Sequence, residues 1–113
     1  MLPLSLPLSG ANMAYKAVIL DEAQREYRQI VDYLARILCS PQAAAAFVDG
    51  FERILSLVVD DPQLFAVSQL RELAARGYRT AFVGNYAMLY RLEGDLVAVA
   101  HIFHQTQDYA RLV

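Results

Sequence analysis

The residues able to do chemistry gather towards the end of the chain: His101, His104, Asp108, Tyr109 and Arg111, with Arg79 and Arg91 upstream. Histidine exchanges protons near neutral pH. Arginine holds a phosphate or carboxylate through paired hydrogen bonds. His104 beside an arginine would therefore combine proton transfer with anion binding. The competing reading is structural: a strand-end histidine hydrogen-bonded to neighbouring polar residues, with Asp108 and Tyr109 anchoring the tail to the sheet. No metal is expected, because His101 and His104 fall on opposite faces of an ideal strand. Cys39, the lone cysteine, cannot form an internal disulfide and reads as a small apolar filler at a helix end.

These residues need a sheet to hold them. Tyr78 to Val83, Tyr86 to Leu92 and Leu96 to Phe103 read as three short strands of a meander. Gly84-Asn85 and Glu93-Gly94-Asp95 supply the turns between them. In the second run Tyr86, Met88, Tyr90 and Leu92 share a face. In the third, Leu96, Ala98, Ala100, Ile102 and His104 alternate with Val97, Val99, His101 and Phe103. Both faces are largely apolar, so neither is expected to be freely solvated. Tyr86 and Tyr90 are accordingly assigned to the core or to a partner-facing surface.

The first half of the chain provides one cover. Tyr15 to Leu20 predicts a short strand, and Asp21 with Gln24 three residues later matches a capping box. Ala23, Tyr27, Ile30, Val31, Leu34, Ile37 and Leu38 then form an apolar stripe at helical spacing. Ser40-Pro41 begins a second helix that Asp60-Asp61-Pro62 ends. The connection between them is so short that the helices must pair as an antiparallel hairpin. Residues 63–77 read either as one or two helical turns, from a Ser68 cap to a Gly77 stop, or as a looser linker. The fold class is α+β: an N-terminal strand, a helix hairpin and a three-stranded antiparallel meander in one sheet. One hairpin cannot cover two faces, so the sequence predicts that a partner occupies the second.

Composition sets the outer limits. A chain of 113 residues, 57% hydrophobic and 19% charged, is one globular domain and not a disordered chain. Its net charge of −2 is unevenly divided. Residues 1–63 carry five bases against eight acids, and residues 64–113 carry five arginines against four acids. The sheet half is therefore mildly basic, far too weakly to establish nucleic-acid binding. Residues 1–12 have no basic leader region, and Pro3 and Pro7 interrupt their apolar run, so they are expected to be a disordered or adventitious extension of a domain over 13–113. No run approaches the roughly 18 apolar residues of a membrane span.

Three segments together resemble the RelE/ParE superfamily of bacterial type II toxins, over about residues 15–113. They are DEAQREYRQIVDYL after a short strand, the helix-ending DDPQLF, and LRELAARGYRTAFVGNYAMLYRLEGDLVAVAHIFHQTQDYARLV. The resemblance implies a small cytoplasmic toxin, associated with plasmid stabilisation and growth inhibition, held inactive by a cognate antitoxin. A homodimer is compatible with it, and no cofactor or membrane is implied. RelE-like members cut messenger RNA in the ribosome, whereas ParE-like members inhibit DNA gyrase by protein contact.

RNA cleavage by such a toxin would need a base, an acid and cations for the phosphorane charge. RelE-like nucleases usually carry an arginine directly after the position of Tyr86, where this chain has Ala87. They also carry basic residues just after the last strand, where Gln105-Thr106-Gln107 stands here. The ParE-like reading is therefore preferred. If the chain is instead a ribosome-dependent, metal-independent endoribonuclease, His104, Arg79 and Tyr109 are the expected catalytic residues, with Tyr109 stacking on a base. A third reading is a degenerate member that binds an antitoxin without toxicity. For contact with target or antitoxin the expected residues are Tyr86, Tyr90, Arg91, Gln107, Asp108 and Arg111.

Overall fold

The computed structural model describes residues 15–65, 67–68 and 71–106. Strand β1 (Lys16–Ile19) leads into helix α1 (Asp21–Asp32), a π-helical turn (Tyr33–Ile37) and helix α2 (Pro41–Asp60). A short helix α3 (Arg71–Ala75) precedes β2 (Arg79–Val83), β3 (Tyr86–Glu93) and β4 (Leu96–His104). The sheet order is β1-β4-β3-β2. β1 runs parallel to β4, and the other pairs are antiparallel. No helix among the described residues is long and apolar enough to cross a membrane.

Local chemistry explains most boundaries. Gly84 and Gly94 sit at φ +59° and +64°, the left-handed turn conformation that glycine adopts without a Cβ penalty. Ser40 caps α2, its hydroxyl accepting from the Ala43 N–H at 3.1 Å, with Pro41 at the first helical position. The start of α1 differs from the capping box expected. Leu20 occupies the cap position without a side-chain cap, Asp21 is already helical, and the Gln24 amide donates instead to the Ile19 carbonyl at 3.0 Å. Two acids in the first turn, Asp21 and Glu22, still complement the helix dipole.

The hairpin connection also departs from the ideal stripe. The Leu38 N–H bonds to the Tyr33 carbonyl five residues back, so the helix widens and its later side chains rotate off the sheet. Ile37 and Leu38 are consequently 68% and 53% exposed, not core. Cys39 takes φ +50° in the turn and is exposed, so it is not the apolar filler expected.

Two cores result, one on each side of the sheet. On the hairpin side, Phe47, Phe51, Leu55 and Val58 of α2 pack with Met88, Tyr90, Val97, Val99 and Ile102. On the other side, Leu73 of α3 and Tyr78 join Ala87, Leu89, Ala100 and Phe103, each no more than 8% exposed. This corrects the expectation of a bare second face awaiting an inhibitor chain. The reason is α3: Leu73 is buried, and Gly77, at φ +85°, turns the chain back so that Tyr78 N–H reaches the Leu73 carbonyl. The large exposed apolar side chains among the described residues are Leu20, Tyr33, Ile37, Leu38, Leu57, Leu64, Val67 and Phe82, the last of them paired with Ala87 across the β2–β3 ladder.

The last strand contains the second departure from ideal geometry. β3 and β4 pair Leu89 with His101 but Tyr90 with Val99, leaving Ala100 as an extra residue. Such a bulge reverses the alternation beyond it. Val97 and Val99 therefore share the hairpin side with Ile102, not with His101 as a regular strand requires.

Candidate functional site

The bulge is where the sheet meets α1. β1 ends opposite Val99, and Leu20 N–H makes the last bond to the Val99 carbonyl at 2.9 Å. Beyond that point no described strand pairs with β4 on this side, and an outward N–H needs another acceptor. Glu26 provides it. One carboxylate oxygen accepts from Ile102 N–H at 2.9 Å, and the other lies 3.3 Å from His101 Nδ1. The Glu26 and His101 side chains are only 18% and 13% exposed. Sequence reasoning passed over Glu26, although its place between Ala23 and Ile30 on the apolar stripe was a signal. A carboxylate on a buried helix face requires a partner.

Next to this contact opens a cleft of about 430 Å³ lined by Glu22, Arg25, Tyr33, Tyr86 and His104, among others. Arg25 is engaged by Glu22, so the described walls offer an anion little unpaired positive charge. His104 stands edge-on to Tyr86, with ring centroids 5.4 Å apart. Its Nδ1 receives the Thr106 N–H at 3.2 Å and lies 2.8 Å from the Thr106 hydroxyl. Accepting from a backbone N–H requires a lone pair on Nδ1, so the neutral ring carries its proton on Nε2. Burial is the first cause that raises the Tyr86 hydroxyl above the usual tyrosine range, with the Tyr33 hydroxyl adding to it.

Arg79 on β2 and Tyr90 in the middle of β3 stand apart from His104. They pair across the β2–β3 ladder, whereas His104 pairs with Tyr86. Four residues of strand separate the two positions, roughly 13 Å at about 3.3 Å per residue. Arg79 Nη1 donates to the Phe65 carbonyl at 2.6 Å, and the Tyr90 hydroxyl donates to the Pro62 carbonyl at 2.7 Å. Both side chains thus tie the segment after α2 to the sheet. Tyr90 is fully buried, which places it in the core and away from any partner surface. Arg91 pairs with Glu93 at 2.6 Å and stacks over Tyr78, 5.2 Å from the ring centroid.

The fold sets His104 against Tyr86, expected in the core or at a partner-facing surface, and places Arg79 and Arg91 apart from them. Gln107, Asp108, Tyr109 and Arg111 lie outside the described residues. The partner observed for Arg79 is a main-chain carbonyl, which residue types alone do not signal.

Three comparisons bear on this geometry. No curated protein matches the chain. Among solved structures, one titled "Chromosomal ParDE TA system from P. aeruginosa" is similar, with a TM-score of 0.62 and 16% identity over 78% of this chain and 92% of that one. At that identity the likeness concerns the fold. The sequence pattern described as "ParE toxin of type II toxin-antitoxin system, parDE" matches residues 18–109, from β1 through the whole meander and beyond it. With most of its length matched and the strand–hairpin–meander order in place, the chain belongs to the ParE toxin family of type II toxin–antitoxin systems, within the RelE/ParE superfamily.

Proposed function

We propose that this toxin acts in the cytoplasm by protein contact with DNA gyrase, without cutting RNA, and that a cognate antitoxin restrains it. The observation that carries the reading is the scatter of the groups a nuclease would need. His104 pairs with Tyr86 at the start of β3, whereas Arg79 pairs with Tyr90 in its middle, and Arg79 is committed to the Phe65 carbonyl. Ala87, where RelE-like nucleases have arginine, is fully buried in the second core. Among the described residues, a phosphorane developing beside His104 would therefore meet little preorganised positive charge. The contact surface proposed is the end of the sheet where β3 begins and β4 finishes, with Tyr86 and His104 in the cleft and Gln107, Asp108 and Arg111 following in sequence; Arg91 would contribute from further along β3.

The test is a cell-free translation reaction with purified toxin, read by primer extension on the message. The message is expected to remain intact while cells expressing the toxin alone stop dividing. Ribosome-dependent cuts would restore the nuclease reading. Normal growth at confirmed soluble levels would favour the degenerate one.

A further inference from the structure

We infer that Glu26 is a positioning residue for the toxin's contact surface: by holding the β4 bulge open it keeps His104 on the cleft side, against Tyr86. The inference rests on the proposed function only in taking this end of the sheet to be the target-facing surface.

The argument is one of register. β3 and β4 begin in phase, with Glu93 opposite Leu96 and Leu92 opposite Val97. Continued without the extra residue, the ladder would set Tyr86 opposite Phe103. The observed pair is Tyr86 with His104. A one-residue slip moves every later side chain to the other face. His104 would then leave the cleft for the side of the sheet that holds Leu73 and Leu89, and the nonpolar Phe103 would turn towards α1. Apolar patterning alone does not forbid the slip, because both faces of β4 are greasy.

Glu26 distinguishes the two registers. In the bulged form its carboxylate accepts from Ile102 N–H and meets His101 Nδ1, at 2.9 and 3.3 Å. Both contacts fall just past the point where β1 stops pairing. In the slipped form Ile102 would shift by one position and reverse its N–H direction, leaving a mostly buried carboxylate without that donor. Glu26 thus acts on His104 through the bulge.

The experiment compares Glu26→Ala, Glu26→Gln and Glu26→Asp by proton NMR and by viable counts after induction without antitoxin. In the unsubstituted protein a Tyr86–His104 ring contact is expected in the NOE spectrum. Glu26→Ala is expected to lose that contact and to raise survivors at least tenfold. Glu26→Gln, whose amide oxygen still accepts from Ile102 N–H, is expected to restore both readouts. Glu26→Asp keeps the charge but shortens the reach, so it is expected to lose the contact in part, and it covers the case of an alanine variant that does not fold. Persistence of the Tyr86–His104 contact in Glu26→Ala overturns the inference, as does loss of the contact with killing unchanged. His104→Ala, with the Glu26 contact left intact, tests the underlying reading separately: full killing by that variant removes the cleft from target contact, whatever the Glu26 spectra show.

Discussion

Replacing Phe51 with alanine is expected to lower the stability of the domain by about 3–5 kcal/mol, the usual cost of removing a buried aromatic ring from a packed core. Phe51 is 2% exposed and meets Tyr27 edge-on at 5.0 Å and Phe47 at 6.2 Å. Phe47 in turn meets Tyr86 at 5.1 Å. This aromatic run joins α1, α2 and β3, so the cavity left by alanine has rigid walls on three sides and little freedom to collapse. Gly50 precedes it on α2, where a Cβ would stand 3.2 Å from Val83, so the helix is already close to the sheet. Urea unfolding followed by circular dichroism measures the loss. A change below about 1 kcal/mol would mean that the hairpin is not packed as described.

The second large effect is alkaline. Burial pushes the Tyr90 hydroxyl up to about 12 from the ordinary 10.0, with neighbouring Arg79 pulling it partly back. The folded state thus favours the neutral phenol, which donates to Pro62. Below the unfolded value both states hold the proton and the stabilisation is complete. As pH rises from about 10 to about 12, the unfolded chain ionises first, and stability is lost by about 2–3 kcal/mol. Tyr90→Phe is expected to cost about 1–2 kcal/mol near neutrality, by leaving a carbonyl without its donor. It should also flatten the alkaline decline. Urea midpoints at about pH 7 and about pH 11 for both proteins decide this, and parallel declines would remove Tyr90 as the cause. Tyr27 and Tyr86, both raised chiefly by burial, leave a smaller residual slope in the variant.

The elements legible in the sequence were those marked by residue type. Turn glycines bounded the three strands of the meander to within a residue or so, and Ser40-Pro41 announced α2. What was not legible depended on hydrogen bonds that no residue type announces. The five-residue bond at Tyr33 moved Ile37 and Leu38 out of the core. The extra residue at Ala100 reversed the parity of β4, so the faces read from strict alternation were right for Val97 and Val99 but wrong for Ile102 and His104. The second face seemed bare because residues 63–77 had no firm reading, and α3 with Leu73 turned out to cover part of it. The candidate site suffered from the same cause. His104 and Tyr86 were picked out by type, whereas Glu26 was missed and the bond from Arg79 to the Phe65 carbonyl had no residue-type signal.

The central claim, a toxin that works by contact, is tested most directly by supercoiling of relaxed plasmid with purified gyrase. Addition of the toxin is expected to block supercoiling, and addition of the cognate antitoxin to restore it, with RNA in the same mixture left whole. Gyrase running at full rate in the presence of the folded toxin, while ribosome-bound message is cut, would contradict the account.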